Sequence, residues 1–166
     1  RRAENAYPGR LILGLSLVLA AQLVLFAASG LAWQQVADAY RYAPPLDRAV
    51  TAFSLVWVVW LWVFPKPNRP VDVLAALLSL AIVMIGIYTL NTWQALPAET
   101  PFNGSAFDWY WELSSLIMVA LGLLALVIVR PPYWGIGLAS LGLLLAGYTI
   151  NLLTITSTGD YSGAVR

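Results

Sequence analysis

Residues 64–91 read FPKPNRPVDVLAALLSLAIVMIGIYTLN. Three prolines in the first seven positions cannot continue a helix, because proline lacks an amide N–H and its ring clashes with the preceding turn. After Asp72 no charge occurs until Glu99. The run Val73–Ala98 is therefore long enough to cross a bilayer, which takes about 20 mostly apolar residues. A stiff polar turn feeds a hydrophobic span, and four more such runs flank it: Leu11–Ala37, Ala49–Pro65, Leu113–Val129 and Pro131–Gly159. Trimmed at turn residues and interface aromatics, the five runs predict helices near 11–33, 48–64, 71–91, 109–129 and 133–154. The expected fold is all-α: a polytopic transmembrane helix bundle of five spans, forming a single domain over residues 1–166.

Composition points the same way. The chain is 60% hydrophobic and 10% charged, against roughly 45–50% and about 25% in soluble domains. Its net charge of +1 leaves no basic face for nucleic acid. With no Cys and no His, disulfides, zinc–thiolate sites, Cys- or His-ligated haem, Cys-held iron–sulfur clusters and His-centred acid–base catalysis are excluded. The lack of His also argues against chlorophyll binding. No nucleophile–base pair, phosphate loop or metal cluster is visible, so the expectation is no enzyme within this chain, no catalytic residue, no metal site and no cofactor. Because the chain starts at Arg1 and ends in Gly159-Asp-Tyr-Ser-Gly-Ala-Val-Arg166, it reads as a fragment of a longer polypeptide.

Charge sets the expected orientation. With the N-terminus in the cytoplasm, the inner segments hold Arg1, Arg2, Arg10, Lys66, Arg69 and Arg130, and the outer ones Arg41, Arg48 and Arg166. An excess of Lys and Arg marks the cytoplasmic side, so the expectation is a multi-pass protein of the plasma (inner) membrane, N-terminus inside and C-terminus outside. The inner turns, Phe64–Pro70 and Arg130-Pro-Pro-Tyr-Trp134, are short and stiff; the outer loops, Gln34–Asp47 and Thr92–Asp108, are longer. Loops on a rigid scaffold either connect or bind ligands.

Helix three ends Tyr88-Thr-Leu-Asn91 and helix five ends Tyr148-Thr-Ile-Asn151, sixty residues apart. Each follows a proline-bounded turn and a run with a glycine (Gly86, Gly147). Helices two–three and four–five therefore read as tandem hairpin repeats, with chance similarity of apolar sequence as the alternative. An Asn amide in hydrocarbon needs partners, so each cluster either caps its helix or shares a polar pocket.

The strongest local constellation is Asp108-Trp-Tyr-Trp-Glu112. Asp108 and Glu112 are four apart and share a helix face; an acid in the first turn also suits the helix dipole. Glu112 lies deeper, where an ionisable group is a functional candidate. Trp109, Tyr110 and Trp111 read as an aromatic belt or as a ligand-stacking wall. The expected ligand-binding residues are Glu112, Asp108, Asn91, Asn151, Tyr88, Tyr148, Trp109 and Trp111, with Glu112 and the Tyr and Asn residues converging at the outer face. Ser16, Gln22 and Ser29 are expected to bond to neighbouring helices, and Gly14, Gly30, Gly122, Gly135, Gly137, Gly142 and Gly147 to allow close helix approach. Trp57, Trp60 and Trp62, on the shortest helix, are too closely spaced to share a face, so some should meet lipid. Asn103-Gly-Ser105 reads as an accidental glycosylation sequon. No buried Lys or Arg pair and no chain of carboxylates suggests transport.

Trp62-Val-Phe-Pro-Lys-Pro-Asn-Arg69 and Gly159-Asp-Tyr-Ser-Gly-Ala-Val-Arg166 resemble the N-terminal multi-helix membrane region of bacterial, Chloroflexota-like sensor proteins. In that family the membrane helices precede cytoplasmic GAF and histidine-kinase-type output domains. The resemblance implies a membrane sensory, input or anchoring domain for signal transduction, with any enzyme activity in an attached output domain. A sixth helix after Arg166 would return the chain to the cytoplasm. The alternative is a structural or assembly subunit of a larger membrane complex, or a small transporter or channel subunit. Expected partners are the lipid bilayer, a second copy or a larger membrane complex, and a small-molecule ligand at the outer face.

Overall fold

The computed structural model describes residues 6–34, 39–97 and 100–153. Among them are five helices and no strand: α1 (Ala6–Trp33), α2 (Ala39–Val63), α3 (Arg69–Gln94), α4 (Ala106–Val129) and α5 (Trp134–Leu153). All five are long and apolar enough to cross a membrane, so the chain is a multi-pass helical membrane bundle. The end Gly159–Arg166 and the charges Arg1, Arg2, Glu4, Asp38, Glu99 and Asp160 lie outside the described residues.

The bundle is built around α2. Half of its span is buried, against 6% of α1. Helix α1 runs antiparallel to it: Gly14 lies against Leu61 and the Gln22 amide reaches the Ser54 hydroxyl at 3.4 Å. On another side α3 also runs antiparallel, with Gly86 against Ala49 and Ala75 packed with Trp57 and Trp60. Helix α4 runs parallel to α2, joined to it at Arg48–Asp108 and again where Gly122 meets Val59. Helix α5 returns along α4, and its Gly137 backbone lies against Leu126 and Trp62. A methyl group at Gly122 or Gly137 would meet neighbours at 2.8 to 3.0 Å, so glycine sets these helix separations, as small residues do where lipid supplies no hydrophobic drive to associate. Gly30, Gly135 and Gly142 do not have that role, because they face open space.

The central place of α2 corrects two expectations. It is not the shortest helix: it has 25 residues against 20 in α5. It starts at Ala39 rather than 48, and runs through Pro44 and Pro45. Those prolines withhold only the amides that would reach back to Tyr40 and Arg41, close enough to the helix start for the helix to survive. Nor are its tryptophans turned to lipid. Trp57 and Trp60 are buried, three residues apart on one face, with rings edge-on at 5.3 Å, while Trp62 packs on the α4–α5 side. A helix surrounded on several sides buries aromatics all round.

One end of the bundle is clamped by Arg10. Its guanidinium donates to both Asp72 oxygens (3.0 and 2.8 Å) and to the Phe64 carbonyl (3.0 Å). It also lies 3.9 Å over the Trp60 ring, whose Nε1 donates to Asp72 at 2.9 Å. This cluster ties α1 to the proline turn between α2 and α3. The turn from α4 to α5 lies at the same end and leaves α4 through Arg130 in the left-handed conformation (φ 46°). Helix α1 makes fewer polar links than expected: Ser29 bonds to its own Leu25 carbonyl and Ser16 is exposed.

At the sixty-residue offset, α3 and α5 do not bury the same positions. The buried positions of α3 are Ala75, Ser79, Gly86, Thr89 and Trp93. Their counterparts, Gly135, Ala139, Ala146, Thr149 and Leu153, are all exposed. Helix α5 turns Gly137 and Leu141 inward instead, a shift of two residues or about 200° of helix rotation. The two Tyr-Thr-x-Asn stretches therefore face differently: Asn151 bonds to Glu112, whereas Asn91 is exposed.

Candidate functional site

The site lies at the end of the bundle opposite Arg10, where α2, α4 and α5 meet. Its foundation is the loop before α4. Phe102, fully buried, stands edge-on to Trp93 with ring centroids 4.9 Å apart, and both pack with Trp111 and Ala52. That apolar plug fixes Asn103-Gly-Ser105 above the first turn of α4. Ser105 is the N-cap: its hydroxyl accepts from the Asp108 amide at 3.2 Å. Gly104, at φ 80°, turns its own amide onto Asp108 Oδ2 at 2.9 Å. The sequon is thus a capping device, in which a side-chain acceptor and a reaching carboxylate satisfy amides that a helix start leaves without partners.

Into this end α2 inserts Arg48. The guanidinium lies 2.6 Å from Asp108 Oδ1, 3.2 Å from Glu112 Oε1, 3.4 Å from Asn103 Oδ1 and 3.6 Å from Asp47 Oδ2. Arg48 is 7% exposed, and Asp108 and Glu112 are 1% exposed. From α5 the Asn151 amide donates to Glu112 Oε1 at 2.9 Å. One guanidinium therefore organises three carboxyl groups and joins three helices. Charges at this depth persist only when paired and hydrogen-bonded, and here Arg48 and the Asn151 amide supply partners to the carboxyl groups.

Beside the network, between α2 and α5, lies a cleft of about 450 Å³ lined by Asp47 and Thr51 on one wall and by Ser140, Leu144, Tyr148 and Asn151 on the other. Among the described residues no three His, Cys, Asp or Glu side chains are arranged to hold a metal ion.

Of the residues singled out from sequence, Asp108, Glu112 and Asn151 form the network, and Tyr148 lines the cleft next to it. Trp111 is buried in the plug behind them, so it is neither belt nor wall, whereas Trp109 and Tyr110 are exposed. Tyr88 (65% exposed) and Asn91 (exposed) turn away from the bundle. The reason is that Thr89 and Trp93 take the inward face of α3, and α3 packs on α2 rather than beside α4 and α5. The expected five-residue convergence is therefore a convergence of Glu112, Asn151 and Tyr148.

Sequence reasoning missed Arg48, Asp47, Thr51 and Asn103. Reading Gln34–Asp47 as loop made Arg48 the first residue of its helix, at the outer boundary, whereas it stands nine residues into α2 and is buried. A signal was present: two acids on one face at membrane depth require a cation, and Arg41 and Arg48 were, with the terminal Arg166, the basic residues assigned to that side. No family model, no curated protein and no solved structure matches this chain.

Proposed function

We propose that this bundle is the membrane-embedded sensory or input domain of a bacterial signalling protein, seated in the plasma membrane with Arg10 and the two proline turns on the cytoplasmic side. The observation that carries the reading is the Arg48–Asp108–Glu112–Asn151 network beside an open cleft whose walls include Asp47, Thr51 and Tyr148. A network shared by α2, α4 and α5 couples the cleft to the relative positions of three helices. A ligand that competes for one of its groups changes the balance holding those helices together. The rigid turns at the other end, Phe64–Pro70 and Arg130–Tyr133, would transmit a helix shift with little loss, since proline leaves the chain few conformations to absorb it. The basic residues at that end, Arg10, Lys66, Arg69 and Arg130, support the cytoplasmic assignment.

A second reading, a structural or assembly subunit, rests on a different observation. Helix α1 touches the bundle mainly through α2 and presents Ile12, Leu19, Leu23 and Phe26 outward, as a helix that packs against a neighbouring subunit would. The deciding experiment substitutes Glu112→Gln in the full-length protein. Gln keeps the size and an acceptor for Asn151 while removing the charge. A sensor should change its basal output or its response several-fold at unchanged expression and folding. Unchanged output, with a reading frame that stops soon after Arg166, would put the subunit reading ahead.

A further inference from the structure

We infer that the groove between α3 and α4, beneath the Phe64–Pro70 turn, binds one anionic phospholipid. Its phosphate would be held by Lys66 and Arg69, and one acyl chain would lie against α2. Such a site stands whichever side of the membrane this end faces, and whether or not the bundle is a sensor.

The groove follows from how the bundle closes. At the Arg48 end, the plug of Trp93, Phe102 and Trp111 fills the space between α3 and the start of α4. At the other end Asp72 of α3 is tied to Arg10 of α1 instead. A groove of about 110 Å³ is left there, with Val59 of α2 as floor and Leu74 and Leu78 of α3 as one wall. Met118 of α4 stands at its deep end, and Phe64 and Val71 at its mouth beside the turn. Its lining is apolar and aromatic throughout. Leu74 and Leu78 are also exposed, so the groove is open sideways to lipid.

Size and charge choose the occupant. From Val71 to Leu78 the groove runs about 10 Å along α3. So narrow a space does not admit a helix, which is about 10 Å across, but a single hydrocarbon chain can lie along it. Charge names the headgroup. Lys66 stands two residues after Phe64 and Arg69 two before Val71, so the two cations flank the mouth. Both are exposed, and neither pairs with a described carboxylate. Asp72, the nearby acid, has both oxygens bonded to Arg10. Basic residues at the membrane surface attract anionic headgroups, and the three prolines of this turn hold the cations with few conformations to lose. A zwitterionic headgroup would bring its own ammonium beside two cations. A free phosphate would leave the groove unfilled.

The test uses the whole chain in neutral maltoside micelles, with thermal unfolding followed by helical circular dichroism. Dioleoylphosphatidylglycerol should raise Tm saturably by a few degrees. Dioleoylphosphatidylcholine, inorganic phosphate and glycerol 3-phosphate should each give a clearly smaller shift. Lys66→Gln with Arg69→Gln should weaken the apparent affinity about tenfold or more. Arg130→Gln should change it little, because that guanidinium lies 5.6 Å from the Trp134 ring of α5. Leu74→Trp narrows the groove without altering a charge and should weaken affinity severalfold; if it fails to fold, Leu78→Trp takes its place. An equal shift from phosphatidylcholine would mean unselective lipid, and an equal shift from inorganic phosphate a free-anion site. Equal losses in the Lys66/Arg69 pair and in Arg130→Gln would mean diffuse surface charge. Any of these, or unchanged affinity in the groove variant, overturns the proposal.

Discussion

Arg48 and Asp108 approach to 2.6 Å across the α2–α4 interface, both nearly excluded from solvent, and sixty positions apart in the chain. The pair holds two parallel helices that no short loop connects, because α3 and the loop to Ser105 lie between them. Parallel neighbours need such a link more than hairpin neighbours do.

Removing Arg48 should therefore be the most damaging single change in the polar network. Arg48→Met removes the guanidinium that Asp108 and Glu112 share, and breaking a buried ion pair from one side costs about 3–5 kcal/mol. Denaturant titration in micelles should show that loss. Replacing all three groups together, Arg48→Met with Asp108→Asn and Glu112→Gln, should recover most of it. A loss below about 1 kcal/mol in Arg48→Met would show that the network is not what joins α2 to α4.

The clamp at the other end should be weaker. Arg10 makes three hydrogen bonds and a ring contact, but the Asp72 side chain is 36% exposed, so water compensates part of any loss. Hydrogen bonds to charged groups contribute about 1.5–3 kcal/mol, and Arg10→Ala should cost toward the lower end of that range. Arg10→Lys should rescue little, since a single ammonium cannot reproduce the two parallel bonds to Asp72. Thermal unfolding of the two variants checks the order, and equal stability of Arg10→Lys and the natural chain would refute it.

How far the sequence could be read depended on what each residue type reports. Spans were legible because twenty apolar residues in a row permit little else, and Asp108 and Glu112 were placed on one face by their spacing alone. Helical phase was not legible. Tyr88 and Asn91 look like Tyr148 and Asn151 in sequence, yet they point outward because Thr89 and Trp93 fill the inward face of α3. In a chain apolar on every side, no polar stripe announces which face is buried. Arg48 was hidden by a sound local rule, that paired prolines mark a loop, applied where two prolines sit near a helix start.

The glycines give a sharper contrast. Gly122→Ala would set a methyl group 2.8 Å from Val59, a β-branched side chain with little freedom to move. Overpacking of this kind costs about 1–3 kcal/mol. Gly142→Ala meets nothing within 4 Å and should stabilise by up to about 1 kcal/mol through helix propensity. Opposite signs for the same substitution, twenty residues apart, are the expected result in paired unfolding measurements; two losses of similar size would show that α4 does not close on α2 at Gly122.

Orientation can be tested without reference to any ligand. The bundle puts Arg10, Lys66, Arg69 and Arg130 at one end, and Arg41 and Arg48 at the other with Asp47, Asp108 and Glu112. The second group counts for less than its number, because Arg48 is buried among carboxyl groups and Arg41 donates to the Gln94 and Leu96 carbonyls that close α3. What steers insertion is basic charge near the span ends, and that favours the Arg10 end as cytoplasmic. A cysteine placed at Lys66 should then resist a membrane-impermeant maleimide in intact cells and react after lysis. One placed at Thr100, which is exposed, should react from outside. Labelling of Lys66→Cys in intact cells together with protection of Thr100→Cys would invert the topology, and the cleft at α2–α5 would then open toward the cytoplasm.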